Sequence, residues 1–503
     1  MTTPAPQSRR GHRQRGRDIA TIGSSGGWRV APLALLLVAA ALIALSSTRG
    51  AESPAPAPAA TELPLSHSDL TCPSVGTARL PAERAGIGLT TPTTDDSPKA
   101  ADQEGGLAIV PIPRGNNLTP KQLPVPGHWE VVTQADDQAD TVVVSSTGAL
   151  AAGASAFAAT SASEKAGGGQ AVVACPAPSR EAWFVGAGSS VDHTSTLLVS
   201  NPADTEAIVD VTLLTRDGSR EPVSGVVVKP RDVLRVNLSE VAAGSGEVAV
   251  RVAASQGQIA TAVLDHWTAT LEPAGTEWIP FAQAPATSLA VSPLIEDAQR
   301  RALIVGNPGD RTASVDIQVV GADGTHPVQG FEHVTVDPDG LTIVDVPESL
   351  DGHTIGLRLD SDQPIVASAR SVSPGSPTDI AYGTSLPDVG GTAVVPVDLP
   401  TVDPSGLRLL VSSADPASEV EFSVTAHAAD GSTLTEDTRT ARPGTALLWR
   451  ADRLEGVAYL VVKPTKGELL ASATYAASDS SWAAMPLTDA PMSVTAPGVY
   501  PLG

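Results

Sequence analysis

Between Glu247 and Ala253 the chain reads EVAVRVA, with Val248, Val250 and Val252 on one face and Glu247 and Arg251 on the other. A period of two predicts a half-buried antiparallel strand. Cutting the neighbouring sequence at its turn residues predicts six more: Ala182–Val185, Ser195–Ser200, Ala207–Thr215, Val223–Lys229, Val233–Leu238 and Ile259–Trp267. Asn201-Pro202, Asp217-Gly218 and Pro230 interrupt the runs, because such residues favour turns or cannot donate to a ladder. Seven short, Val-rich runs divided in this way have the spacing of a β-sandwich.

The pattern then recurs. Val199-Ser200-Asn201-Pro202-Ala203-Asp204 returns as Val305-Gly306-Asn307-Pro308-Gly309-Asp310 and, worn, as Val411-Ser412-Ser413-Ala414-Asp415-Pro416. Asp217-Gly218, Asp323-Gly324 and Asp430-Gly431 follow at one offset. A period of about 105 residues marks a duplicated structural unit. The second copy predicts strands at Ala302–Gly306, Ala313–Val320, Leu341–Val346, Thr354–Leu359 and Ile365–Val372. The third predicts them at Leu407–Ser412, Val420–Ala426, Ala446–Trp449, Ala458–Val462 and Leu469–Tyr475. Trp278, Ile380 and Trp482 occupy matching points of the connectors. The expected fold is all-β: tandem immunoglobulin-like β-sandwich repeats at 178–288, 289–392 and 393–503, with a β-propeller of two blades per unit as the alternative. A last strand, Val494–Val499, either folds back on the third unit or closes a ring.

Residues 61–177 fit less well and predict a separate or degenerate N-terminal β-rich domain. Leu107–Pro111, Trp129–Thr133 and Thr141–Ser145 read as strands, while Ala149–Ala162 suits a helix or a pair of small-residue strands. Upstream, Val30–Ser46 reads VAPLALLLVAAALIALS, without a charge. Residues 1–29 carry six Arg against Asp18, and charge on that side holds the N-terminus in the cytoplasm. With Trp28 and Ser47 at its ends the run approaches the roughly 20 residues of a membrane span, and the sequence after it is a poor cleavage site. The expected organisation is a basic cytoplasmic tail at 1–29, a transmembrane signal anchor at 30–47 and a Pro/Ala linker at 48–60 that extends as polyproline.

Localisation follows: a single-pass protein of the cell membrane with its C-terminal part extracytoplasmic. Cys72 and Cys175 both fall in that exported part and are expected to form one disulfide. Net charge is −23, and setting aside the +5 of residues 1–29 leaves −28 on the rest. So acidic a body repels phosphate backbones, which excludes nucleic acid as a partner.

The layout resembles the actinobacterial family DUF5719. The points of resemblance are the N-terminal anchor, Cys175-Pro176-Ala177-Pro178 leading into Ala182-Trp183-Phe184-Val185-Gly186, the two Asn-Pro-x-Asp turns, and Glu277-Trp278-Ile279-Pro280, over roughly 60–503. The resemblance implies an exported envelope protein and assigns no activity. The third copy departs from the pattern with Ser413-Ala414-Asp415-Pro416.

Asn-Pro-x-Asp is the sharpest motif. Asn201, Asp204, Asn307 and Asp310 could offer oxygens to Ca²⁺, but Asn and Asp cap turns for which Pro202 and Pro308 set the entry angle, and the turn is the expectation. His326, His333 and His353 lack zinc spacing, and there is no G-x-S-x-G, H-E-x-x-H or Walker loop. No metal, cofactor or catalytic residue is therefore expected. Sugar-binding sites stack rings on exposed aromatics, yet aromatics make up 3% of this chain. The expected function is a non-catalytic scaffold or partner-binding module of the cell envelope, tethered to the membrane, with an envelope protein or glycan as partner. The alternatives are a polysaccharide-binding accessory to wall-glycan assembly and, least supported, an exported hydrolase.

Overall fold

Alternating Val, Ala and Thr fold as strands throughout. The computed structural model describes residues 61–496 apart from 74–81, 93–104, 113–125, 134–140, 163–168, 219–222, 270–271, 351, 400–401 and 452–453. The anchor and linker expected at 30–60 lie outside the described residues. Among the described residues no helix is long and apolar enough to cross a membrane.

After β1 (Thr61–Pro64), the N-terminal unit contains β2 (His67–Pro73), β3 (Ala82–Thr90), β4 (Gly106–Ile112), β5 (Trp129–Thr133), β6 (Thr141–Thr147), β7 (Ser155–Ala162) and β8 (Gln170–Ala174). Repeat 1 contains β9 (Glu181–Gly188), β10 (His193–Asn201), β11 (Ala207–Leu214), β12 (Val223–Val228), β13 (Asp232–Asn237), β14 (Glu247–Gln256), β15 (Ala260–Ala269) and β16 (Glu272–Ile279). Repeat 2 contains β17 (Ala286–Leu294), β18 (Arg300–Asn307), β19 (Ala313–Gly321), β20 (Gly324–His326), β21 (His333–Val336), β22 (Gly340–Asp345), β23 (Ile355–Val372) and β24 (Ile380–Ser385). Repeat 3 contains β25 (Ala393–Pro396), β26 (Leu407–Ser413), β27 (Val420–His427), β28 (Thr433–Ala441), β29 (Ala446–Arg450), β30 (Tyr459–Lys466), β31 (Leu469–Ser478) and β32 (Ser481–Pro486), and β33 (Ser493–Ala496) follows.

Repeat 1 forms two antiparallel sheets, β12-β11-β14-β9 and β13-β10-β15-β16. Repeat 3 repeats that order as β28-β27-β30-β25 and β29-β26-β31-β32. Repeat 2 follows it with one long strand: the first half of β23 pairs with β17 and β19, the second half with β18 and β24. The N-terminal unit has the same order again, β4-β6-β2 and β5-β3-β7-β8. It is therefore a fourth copy, which the sequence concealed because the Asn-Pro-x-Asp turn is absent from it.

Immunoglobulin topology is not what the pairing gives. That fold pairs its strands in the orders ABED and CFG, whereas repeats 1 and 3 pair theirs as fourth-third-sixth-first and fifth-second-seventh-eighth, four strands in each sheet. The additional strand of repeat 1, β16, runs through Glu277-Trp278-Ile279, which the sequence offered as a connector. The ladders also correct the connector alignment. Leu264 opposite Trp278, Arg370 opposite Tyr382 and Thr474 opposite Ala484 put Trp278 level with Tyr382 and Ala484, two residues beyond Ile380 and Trp482.

The two sheets of repeat 1 share a core of Phe184, Val199, Val211, Leu213, Val250 and Val263. On its other face the first sheet packs Trp183, Val185 and Ala249 against Ile304, Leu341 and Val366 of repeat 2. The second packs Leu198, Leu264 and Trp278 into the core of the N-terminal unit. Repeats 2 and 3 meet through Ile295, Ala381, Trp482 and Ala484. Repeat 3 returns to the N-terminal unit, whose Trp129 and Phe157 sit among Val394, Tyr459 and Leu460. The sheets thus follow one another in a closed cycle, as propeller blades do, while the chain crosses between the two sheets of each unit as in a sandwich. The last strands of the units, β8, β16, β24 and β32, touch one another in turn at the centre. β33 pairs with β1.

Candidate functional site

Because every unit ends on an inner strand, the four strand ends converge. Each is followed closely by proline: Pro176 after β8, Pro280 after β16, Pro387 after β24 and Pro486 closing β32. Together they wall a partly open cavity of about 290 Å³. Its other walls include Leu70, Phe157, Val172, Phe281, Val394 and Met485, with Gln283, Thr488 and Asp489 as polar members. Proline brings no N–H to such a wall. Several backbone groups of the wall are engaged elsewhere: Cys175 N donates to Ala156 O (2.8 Å), Pro176 O accepts from Thr71 N (2.8 Å), and Pro491 O accepts from Gly153 N (2.7 Å). Asp489 is also committed, its two oxygens accepting from Gly390 N (3.1 Å) and Gly391 N (2.9 Å). The lining of the chamber is mostly apolar.

A polar centre lies where β24 begins. Asp379 is fully buried. Its Oδ2 accepts from Trp482 N of repeat 3 (2.7 Å) and Gln170 N of the N-terminal unit (3.3 Å), and its Oδ1 from Ile380 N (2.9 Å). Gly169 and Gly275 leave room for it: both have positive φ, and a Cβ would stand 2.4 Å and 3.1 Å from Oδ1. All four units therefore meet at one carboxyl group. Burial pushes it up to about 8, against the three backbone donors that favour its charge. Gln170 extends the junction, donating through Nε2 to Tyr475 O (2.9 Å) and Ser481 O (3.3 Å). Nearby Glu277 is also fully buried. Burial, with Asp379 as a like charge, holds its carboxyl well above the usual range despite donation from the backbone N–H of Trp278 (2.8 Å).

Repeats 1 and 2 are joined by a second buried cluster. His193 Nε2 lies 2.9 Å from both oxygens of Asp265, Tyr382 Oη donates to Asp265 Oδ2 (2.7 Å), and Ser195 Oγ donates to Asp265 Oδ1. Burial works to raise the Asp265 carboxyl, but the His193, Ser195 and Tyr382 contacts prevail and hold it below the usual range. Arg370 bonds Glu247 Oε1 (3.2 Å) and covers the Trp267 ring at 4.1 Å. The residue types are those of a Ser-His-Asp triad, but a triad sets the serine on the imidazole. Here serine and histidine both bind the carboxylate, all three are buried, and the geometry gives no relay.

The sequence-predicted residues do other work. Asn201 Nδ2 donates to Thr205 O (2.7 Å) and Val228 O (3.0 Å), and its Oδ1 accepts from Ala203 N (3.0 Å). Asn307 does the same with Arg311 O (2.7 Å), Val336 O (3.1 Å) and Gly309 N (3.0 Å). Each asparagine spends its side chain inside its own turn. Pro202 is buried and Pro308 half-buried, whereas Asp204 and Asp310 are exposed. Asp204 accepts from Arg231 Nε at 2.9 Å. In the worn copy Asp415 takes the asparagine's part, accepting from Ala417 N at 3.0 Å. Among the described residues no group of three or more His, Cys, Asp or Glu is placed to hold a metal. Cys72 and Cys175 are disulfide-bonded, tying β2 to the residue after β8, and Cys175 lines the chamber.

Sequence reasoning missed Gln170, Asp265, Arg370 and Asp379, and weighed Glu277 only as part of a structural motif. The available signal was an ionisable residue set within otherwise apolar strand sequence, as in Glu277-Trp278-Ile279 and Asp379-Ile380-Ala381. No curated protein matches the chain at a significant level. A family model does match, over residues 131–450, from within β5 to the end of β29. The chain belongs to DUF5719, a family of unknown function.

Proposed function

We propose that this protein is a non-catalytic binding module of the cell envelope, held at the membrane by its N-terminal segment with the β-ring on the extracytoplasmic side. The observation that carries the binding role is the apolar chamber to which all four units contribute, set beside polar clusters that are sealed within the ring. A disulfide joining the ends of the N-terminal unit supports an oxidising compartment. The order of basic segment, apolar run and linker supports the orientation. A polysaccharide-binding role would ask for exposed aromatic rings, and the described tryptophans are buried or half-buried in packing.

Val191 is 94% exposed on a loop of repeat 1 and tests the orientation. Intact cells expressing the full chain with Val191→Cys should be labelled by a membrane-impermeant maleimide without permeabilisation. Labelling that requires permeabilisation would place the ring in the cytoplasm and end this proposal.

A further inference from the structure

The chamber carries more than a generic binding role. We infer that it holds one aliphatic chain of a membrane lipid, with a neutral head group at the rim. The inference rests on the membrane-tethered reading above.

Three observations lead there. The first is the wall. Four prolines from four units, together with Phe157, Phe281 and Met485, present carbon, and backbone groups of Cys175, Pro176 and Pro491 are bonded away from the cavity. A sugar, nucleotide or metal ion would find few partners, whereas a hydrocarbon chain needs none. The second is size. About 290 Å³ stands at the lower end of small-molecule sites, which suits a single chain and not a whole two-chain lipid.

The third is where the chain enters. Leu65 N donates to Met492 O at 3.2 Å, one residue beyond Pro491 in the chamber wall. The β1–β33 ribbon therefore adjoins the rim. It exposes Leu63 and Val494, each to 47%, two of the few large apolar side chains so exposed among the described residues. The polypeptide that leads back to the apolar run at 30–46 joins this ribbon at Thr61. Residues 47–60 are the only polypeptide between that apolar run and the ribbon, so whatever the run anchors is covalently tied to the rim side of the ring.

Charge selects the head group. The chain outside residues 1–29 is strongly acidic, which disfavours an anionic lipid. At the rim the side chains of Gln283 and Thr488 remain to meet neutral hydrogen-bonding groups.

The test uses the full-length protein in phosphatidylcholine vesicles containing a small fraction of phosphatidylcholine with a diazirine near the end of one acyl chain. After irradiation, adducts are mapped by mass spectrometry. Adducts are expected on peptides carrying Val172–Ala177, Phe281 or Met485. They should fall at least tenfold in Ala174→Phe, which fills the chamber, and in Thr488→Trp, which closes its mouth from an exposed position. The surface variant Val191→Phe should label as the parent does. Adducts confined to residues 30–46, or equal labelling in both blocking variants, would overturn the inference. So would an unlabelled chamber in a protein found to be dimeric, which would assign the cavity to a second copy. The orientation test at Val191 reads out separately: a labelled chamber on a cytoplasmic ring would sink the tethering reading and not the lipid site.

Discussion

Asp379 shows how much one side chain can decide. A carboxyl group withdrawn from water is costly to ionise, and this one is held raised to about 8. In the unfolded chain it releases its proton near the ordinary value of 3.8. Between those values the native state binds the extra proton, so its contribution is full below about pH 4 and is lost as pH rises through 8. Glu277, raised by the same burial, acts in the same direction. Unfolding free energies from denaturant titrations at pH 5, 7 and 9 should fall with pH on the order of 1 kcal/mol per unit, and Asp379→Asn should flatten that slope whatever its baseline stability. A parent protein whose stability rises across this range would contradict the assignment. Asn201 and Asn307 act on a smaller scale, each closing a single turn with three hydrogen bonds, and that local self-sufficiency is why their motif repeats so visibly.

At the level of elements, legibility followed burial. The seven strands predicted for repeat 1 all appear: β11 alternates cleanly over a buried face and β9 is buried almost throughout, while β12 and β13, mostly half-buried or exposed, were marked by the turn residues around them. β28, TLTEDTRTA, escaped notice because nearly all of its residues are exposed and it has no apolar stripe to read. Its charges also suit an outer strand that must not pair with a neighbour. β7, SAFAATSA, was ambiguous for a different reason: Ala and Ser commit weakly to either structure, and their small size is set by what packs above them. Gly88 opposite Phe157 shows the same demand, since a Cβ there would stand 2.2 Å from the Trp129 ring. The disulfide binds the β2 strand of the N-terminal unit to the residue after its last strand, across a separation of 103 residues. Cys72→Ala with Cys175→Ala should lower stability by roughly 4 kcal/mol in the chain-entropy account, read as a drop in thermal midpoint that reducing agent reproduces in the parent protein only.

For the whole molecule, closure of the cycle matters most. Trp129 sits at the closing junction, its Nε1 donating to Asp398 O (3.0 Å) and its ring stacked near Tyr459 (5.8 Å). Trp129→Ala should cost about 3–5 kcal/mol, as large core truncations do. If the four units hold one another in a cycle, amide exchange should accelerate in repeats 1 and 2 as well as at the junction. Acceleration confined to the N-terminal unit and repeat 3 would instead mean units that stand independently.

Sequence by itself determined the strands and the repeat. A period of two and a turn made by neighbouring residues are local, and a duplicated gene preserves them at fixed spacing. It also supplied the two cysteines, which the fold bonds. Only the tertiary structure decided that residues 61–177 are a fourth copy, that the last strand of each unit is inner, and that Gly169, Gly275, Asp379 and Trp482 meet at one point. Those residues are far apart along the chain and belong to different units. Their relation is set by how whole sheets pack, which no single repeat encodes.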